Sequence, residues 1–182
     1  MGTMKQLMGV LIIGLLLFAV SAGIAQNTPG YPQMVYVAKM LKPDVKTVGI
    51  ISATMTDKDV ERGTRAGMGQ NVAVIIARPK SAGEIATLYK RMVSEKKVQF
   101  ILLTDPADEL MTGLGFEYLR EAALADGVGI IVVSEPLLTG GALACVINEG
   151  GQTRAVVNHK VATVLGISPA QGGETPLSYV GK

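Results

Sequence analysis

The sequence predicts an α/β fold with three layers and a mostly parallel five-stranded sheet. Two observations carry this. Short apolar runs alternate regularly with helix-period segments, and several runs are continuously apolar, as strands are when both faces are covered. The clearest stretch is residues 128–147, with one apolar run from Val128 to Val133, a polar corner at Ser134, Glu135 and Pro136, a Gly140-Gly141 pair, and a second apolar run from Ala142 to Ile147. The chain has 182 residues, 48% of them hydrophobic and 18% charged, which is enough apolar material for one domain with a proper core.

The elements follow in order. Met34, Val37, Ala38 and Leu41 make a helical stripe, with Pro32 near its first turn and Pro43 beyond its end. Thr47–Ser52 reads as the first strand and Asp57–Met68 as a helix with Asp57 as its cap. Val72–Ala77 is the second strand. Ser81–Lys96 is a helix in which Ser81 and Glu84 form a capping-box pattern. Gln99–Thr104 is the third strand, and Ala107–Ala125 is helical with weak points at Gly113 and Gly115. The fourth and fifth strands are the two runs already described. A last helix is expected over Gln152–Leu165, where Val156, Val157, Val161, Val164 and Leu165 share a side. Repeated strand-helix units imply parallel pairing with helices on both faces, strand order 2-1-3-4-5, a Rossmann-like (flavodoxin-like) lobe over residues 31–167, and a flexible tail over 168–182. The direction of the fifth strand is left open, because the link from Ser134 to Gly140 is short for a parallel crossover.

Residues 1–25 read as a signal peptide. A basic start at Lys5 precedes the apolar run Leu7–Val20, then small residues lead to a cleavage pattern at Gly23 and Ala25. The alternative is an uncut anchor through residues 7–25, long enough to span a bilayer. Both place the rest of the chain outside the cytoplasm, in the periplasm or otherwise exported.

Composition narrows the function. The formal net charge is +2, the basic residues are scattered and there is no Trp, so a nucleic-acid partner is not expected. Cys145 is the single cysteine, so no internal disulfide forms, and it reads as a small buried residue. His159 is the single histidine, so no metal site is expected.

In open parallel sheets, ligands bind beyond the carboxyl ends of the strands. Here those ends carry Ser52 and Thr54, Asp105, and Ser134 with Glu135, which makes these the candidate ligand-binding residues. Ser, Thr and Asp also cap helices and close turns, so each has a structural reading beside the functional one.

The order Met40-Leu-Lys-Pro-Asp-Val-Lys-Thr-Val-Gly-Ile-Ile51, then Val98-Gln-Phe-Ile-Leu-Leu-Thr-Asp105, then Gly129-Ile-Ile-Val-Val-Ser-Glu-Pro-Leu-Leu-Thr-Gly-Gly-Ala-Leu-Ala144 resembles ABC-transporter substrate-binding proteins of the tryptophan/tyrosine-binding type. The resemblance runs over about residues 33–170 and corresponds to a single lobe of a two-lobed, periplasmic-binding-protein-like molecule. It implies that Ser52, Thr54, Asp105, Ser134 and Glu135 line one side of an interlobe cleft for a small organic or amino-acid ligand. It also implies an ABC permease, a second lobe or a homodimer as partner. The other reading is a non-catalytic envelope adaptor that binds another protein through the former interlobe face. Enzyme function is not expected: Ser52-Ala53-Thr54-Met55-Thr56 stands where a dinucleotide fold carries its glycine-rich turn, and there is no nucleophile elbow or phosphate loop. Asp105 ends the third strand as a phosphoacceptor would, but no acidic pair follows the first strand. No cofactor is expected.

Overall fold

The computed structural model describes residues 28–168 and 177–180. Residues 1–27, and with them the signal-peptide segment, lie outside the described residues, as does most of the expected tail. Among the described residues, no helix is long and apolar enough to cross a membrane.

The chain opens with α1 (Tyr31–Leu41) and β1 (Thr47–Ile51), then α2 (Asp57–Gln70) and β2 (Ala73–Ala77), α3 (Ala82–Ser94) and β3 (Phe100–Leu103). There follow α4 (Glu109–Thr112), α5 (Leu114–Ala125), β4 (Gly129–Val132), α6 (Glu135–Thr139) and β5 (Ala144–Glu149). The chain ends with β6 (Gln152–Asn158), α7 (His159–Val164) and β7 (Leu177–Val180). The strands form one sheet in the order β2-β1-β3-β4-β5-β6-β7. The expected order 2-1-3-4-5 is therefore present, and the mostly parallel α/β architecture is as the sequence implied.

Successive strand residues divide between two apolar layers, as the two-residue pleat requires. Val48, Ile50, Phe100, Leu102, Ile131 and Val146 pack with Met34, Val37 and Leu41 of α1 and Ala66 of α2. Ile51, Ile101, Leu103, Ile130 and Val132 face the other way, against Ile85 and Tyr89 of α3 and Phe116 and Leu119 of α5. After the half-buried Thr47, every residue of β1, β3 and β4 is buried and apolar or glycine, so polar groups lie only at the strand ends.

Three expectations are corrected, and the strand direction left open is settled. Among the described residues the sheet has seven strands, not five: Gln152–Asn158 is a strand rather than the start of a helix, and only His159–Val164 of that segment is helical. Gly150 and Gly151, at φ +60 and +81, close a two-residue turn, and Glu149 pairs with Gln152 on either side of it. Two successive positive φ values are what a twisted antiparallel hairpin needs, and β-branched Val156 and Val157 suit the strand that leaves it. Within the segment read as a tail, Leu177–Val180 pairs parallel with β6 as the seventh strand. The helix expected over Ala107–Ala125 breaks at Gly113 into α4 and α5. β5 runs parallel to β4, because pairing begins only at Ala144 and the whole segment 133–143, with α6 inside it, serves as the crossover.

Two caps also differ. Thr56, not Asp57, caps α2: its hydroxyl accepts from Asp59 N at 3.3 Å, and Asp59 Oδ2 accepts from Thr56 N at 3.1 Å. The Thr56 hydroxyl also donates to Asp59 Oδ2, and this bond, followed by the one from Thr56 N, holds the Asp59 carboxyl below its ordinary range. At α3, Glu84 accepts from Lys80 N at 2.9 Å instead of closing a box with Ser81.

Cys145 is fully buried on β5, and burial, with a smaller contribution from the negative charge of Glu135, raises its thiol to about 11. The thiolate is the reactive form, so a disulfide-exchange reagent at pH 8 is expected to leave the native thiol unmodified over hours and to titrate one thiol on denaturation. Rapid reaction of the native chain would contradict this placement.

Candidate functional site at the carboxyl edge of the sheet

The carboxyl edge carries two separate polar arrangements. The first joins the loops after β1 and β3. Asp108 is 1% exposed, and its Oδ2 accepts from Ser52 Oγ at 3.0 Å and from Ala53 N at 2.7 Å, while Oδ1 accepts from Leu110 N at 3.2 Å. Beside it, Asp105 Oδ2 accepts from Thr54 Oγ1 at 2.6 Å and Asp105 Oδ1 from Ala107 N at 2.9 Å. Three of the candidate residues, Ser52, Thr54 and Asp105, are thus brought together, but their hydrogen bonds are directed to each other and to Asp108. Ser52 is 2% exposed and reaches no solvent-facing surface. Thr54 is exposed and Asp105 half-buried, so these two form the outer rim.

Tyr31, in the first turn of α1, lies beside that rim, close enough to Thr104 and Asp105 for both to influence its phenol. Burial, and next the negative charge of Asp59, raise the Tyr31 phenol above its ordinary value against the lowering effect of Thr104. At the end of β2, Arg78 Nη2 meets Asp57 Oδ1 at 2.7 Å, an ion pair between two exposed side chains.

The second arrangement lies at the ends of β4, β5 and β6. Pairing of β4 with β5 stops at Val132 and Cys145, while β5 and β6 remain paired to Glu149 and Gln152. The hairpin therefore projects past the edge of the sheet and forms one wall of a groove of about 400 Å³. Glu135, Asn148, Glu149 and Arg154 give the groove its polar lining, with Thr28 and Pro29 from the leader and Val133 and Ile147 from the strands. Arg154 Nη1 pairs with Glu149 Oε2 at 3.1 Å across the hairpin. Its Nε is buried and has no hydrogen-bond partner among the described residues. Thr153 Oγ1 donates to Asn148 Oδ1 at 2.9 Å and ties the same two strands on their other face. Glu135 is exposed at the start of α6, close enough to Cys145 for its charge to raise that thiol. Ser134 precedes it as the N-cap residue of α6 without a side-chain cap bond.

Of the five candidate residues, then, Glu135 lines the groove, Thr54 and Asp105 form a rim elsewhere on the same edge, Ser134 lies beside α6, and Ser52 is interior. Sequence reasoning passed over Asp108, Tyr31 and Arg154. Asp108 stands two residues before Leu110 at the head of a short helix, which is the spacing of a capping carboxylate. Arg154 and Glu149 flank a Gly-Gly pair as opposite charges do across a hairpin.

No protein-family model matches the chain, and no curated protein sequence matches it. Solved structures do. The chain is similar to an ABC domain from Streptococcus pneumoniae in complex with L-Trp, with a TM-score of 0.68 at 22% identity, covering 84% of this chain and 62% of that one. It is also similar to the ligand-free, open form of a substrate-binding protein with adhesive properties from Clostridium difficile, with a TM-score of 0.65 at 17% identity, covering 84% of this chain and 60% of that one. The resemblance to substrate-binding proteins thus holds at the level of the fold. This chain spans about three fifths of the length of either structure.

Proposed function

We propose that this chain is an exported solute-binding module that recognises a small polar or amino-acid-like ligand at the carboxyl edge of its sheet, for an ABC transporter or a sensor. The observation that carries the reading is the groove walled by the projecting β5–β6 hairpin. It lies at the carboxyl edge of the sheet, on the β4–β6 side rather than at the β1/β3 switch point, and it is lined by Glu135, Asn148, Glu149 and Arg154 together with Pro29, Val133, Val146 and Ile147. Its volume of about 400 Å³ falls in the range of small-molecule sites. Thr54, Asp105 and Tyr31 form the neighbouring rim, and a facing surface from a second lobe or a second chain completes the enclosure. The fold shared with a protein solved in complex with L-Trp supports the same reading.

A thermal-shift screen of the chain from Gln26 onward, against amino acids and small organic acids at millimolar concentration, tests it. A ligand at about 100 times its Kd adds about 2.7 kcal/mol of stability, which for a domain of this size raises the midpoint by on the order of 5–10 °C. Glu135→Ala, an exposed position, is expected to abolish the shift while leaving the unliganded midpoint within about 2 °C. No shift with any solute would overturn the proposal.

The projecting hairpin also favours a second reading, an envelope adaptor that offers residues 148–152 to another protein. A stable hetero-complex or homodimer that is lost on shortening the hairpin, together with a silent ligand screen, is the outcome that reading requires.

A further inference from the structure

We infer that the β2 edge of the sheet is an interaction surface for a second copy of this chain, with the two β2 strands paired antiparallel about Ile75. The surface lies toward the other end of the sheet from the groove, so the inference stands independently of the solute-binding reading.

β2 is the terminal strand of the sheet and, among the described residues, pairs on one side only. An edge strand offers a row of free N–H and C=O groups, and monomeric proteins commonly guard it with lysine, proline or a bulge. β2 carries none of these: Ala73-Val-Ile-Ile-Ala77 holds no charge and no proline, and its five residues pair in unbroken register with β1. Val74, Ile75 and Ile76 stay only half-buried. A two-fold axis through Ile75 sets Ala73 against the partner's Ala77, Val74 against the partner's Ile76, and Ile75 against the partner's Ile75. Small residues then meet small ones and β-branched residues meet β-branched ones, the cross-strand pairs that stabilise a sheet. Such an isologous contact closes at two copies.

The helices beside the edge are complementary to themselves under the same axis. Met92 of α3 stands level with it, since the Cβ position of Gly49, the register partner of Ile75, is 3.1 Å from Met92 Sδ. Arg91 and Glu95 bracket that level one helical turn apart; both are exposed, and among the described residues neither takes part in an ion pair. The axis is normal to the sheet, so the two α3 helices lie antiparallel on one face and each Arg91 meets the partner's Glu95. Between β2 and α3 lies a hollow of about 270 Å³ whose lining includes Ile75, Ala77, Leu88 and Met92. The partner's Ile75, on the same face of the extended sheet, points into it. On the other face Gly67 closes α2 onto Val74. Arg62, Arg65 and Gly69 line a hollow beside Tyr31 on the α1 flank of α2, which leaves Met68 on the opposite flank, toward the edge. Pairing covers Met68, which is 75% exposed on the single chain.

Sedimentation velocity of the chain from Gln26 onward, at about 1 to about 200 µM, tests it, and a dimer with Kd on the order of 10 µM or tighter is expected. Ile75→Lys places a charge on the edge strand and is expected to leave a monomer at every concentration. R91E and E95R each bring like charges together across the axis and are expected to weaken the dimer about 10-fold, while the double exchange R91E/E95R restores it to within about threefold. Restoration by exchange is a result that loss of folding cannot produce. If Ile75→Lys does not fold, the charge series on the exposed face of α3 decides alone. A monomer at about 200 µM overturns the inference. So does a dimer that survives Ile75→Lys or either charge reversal unchanged, or one that the exchange does not restore. Because the groove lies elsewhere, each of these failures leaves the solute-binding reading standing, and a silent ligand screen leaves the dimer standing.

Discussion

Asp108→Ala is expected to lower the stability of the domain by about 3–4 kcal/mol, with a fall in melting midpoint on the order of 10 °C. The side chain joins the loops that follow the paired strands β1 and β3, on the interior side of the Thr54–Asp105 hydrogen bond. Its carboxylate accepts from Ser52 Oγ, Ala53 N and Leu110 N, so it ties the end of β1 to the start of α4. Hydrogen bonds to a charged acceptor contribute about 1.5–3 kcal/mol each. Truncation would also leave the Ser52 hydroxyl, which is 2% exposed, with Thr54 Oγ1 at 3.0 Å as its remaining side-chain partner. Asp108→Asn keeps one acceptor oxygen and is expected to recover about half of the loss. Urea unfolding of the three proteins measures this directly, and a loss below about 1 kcal/mol for the alanine variant would show that the joint is not needed.

Gly115→Ala is expected to cost about 2–4 kcal/mol, an unusual result for a change that normally favours a helix. Gly115 lies in the first turn of α5, packed against the carbonyl of Leu110 in α4. A Cβ there would fall far inside contact distance of the Leu110 carbonyl oxygen and 2.7 Å from Ile85 Cδ1. Since the nearest obstacle is backbone, relief requires α4 and α5 to separate. Gly69, by contrast, has open space at its Cβ position on the outer side of α2, and Gly69→Ala is the internal control, expected to be neutral or mildly stabilising. The difference between the two midpoints is the quantity to measure. Equal midpoints would mean that the α4–α5 contact yields without cost.

The parts of the fold legible in the sequence were those set by local periodicity. Continuous apolar runs marked β1, β3 and β4 because both faces of those strands are covered, and the helical stripe of Met34, Val37, Ala38 and Leu41 is buried throughout. The segment after Ile147 misled because Val156, Val157, Val161 and Val164 fit a helical spacing, while the first pair belongs to a strand and the second to a helix. A short apolar run does not distinguish the two periods; the partner strand does. The Gly-Gly signal was present twice. Gly140-Gly141 follows α6, and Gly150-Gly151 makes the hairpin. Only the second has paired residues directly on both sides.

The site was legible in position more than in composition. The end of each strand pointed to the carboxyl edge of the sheet, the edge at which the groove is found. Which groups face outward depended on pairings across the fold: Ser52 with Asp108 over 56 residues of sequence, Thr54 with Asp105 over 51. Those pairings turn residues that read as ligand contacts into loop joints. Arg154 stayed hidden for the complementary reason, since it was read as part of a helix.

The central claim is that solutes bind at the groove beside the β5–β6 hairpin, and amide chemical-shift mapping during titration with L-tryptophan, L-leucine and L-glutamate tests it most directly. The account predicts saturable shifts centred on Glu135, Ile147, Asn148, Glu149 and Arg154, with weaker ones at Thr54 and Asp105. Shifts centred instead on the β2 edge or the outer face of α2, or a spectrum unchanged at millimolar concentration of every probe, would contradict it.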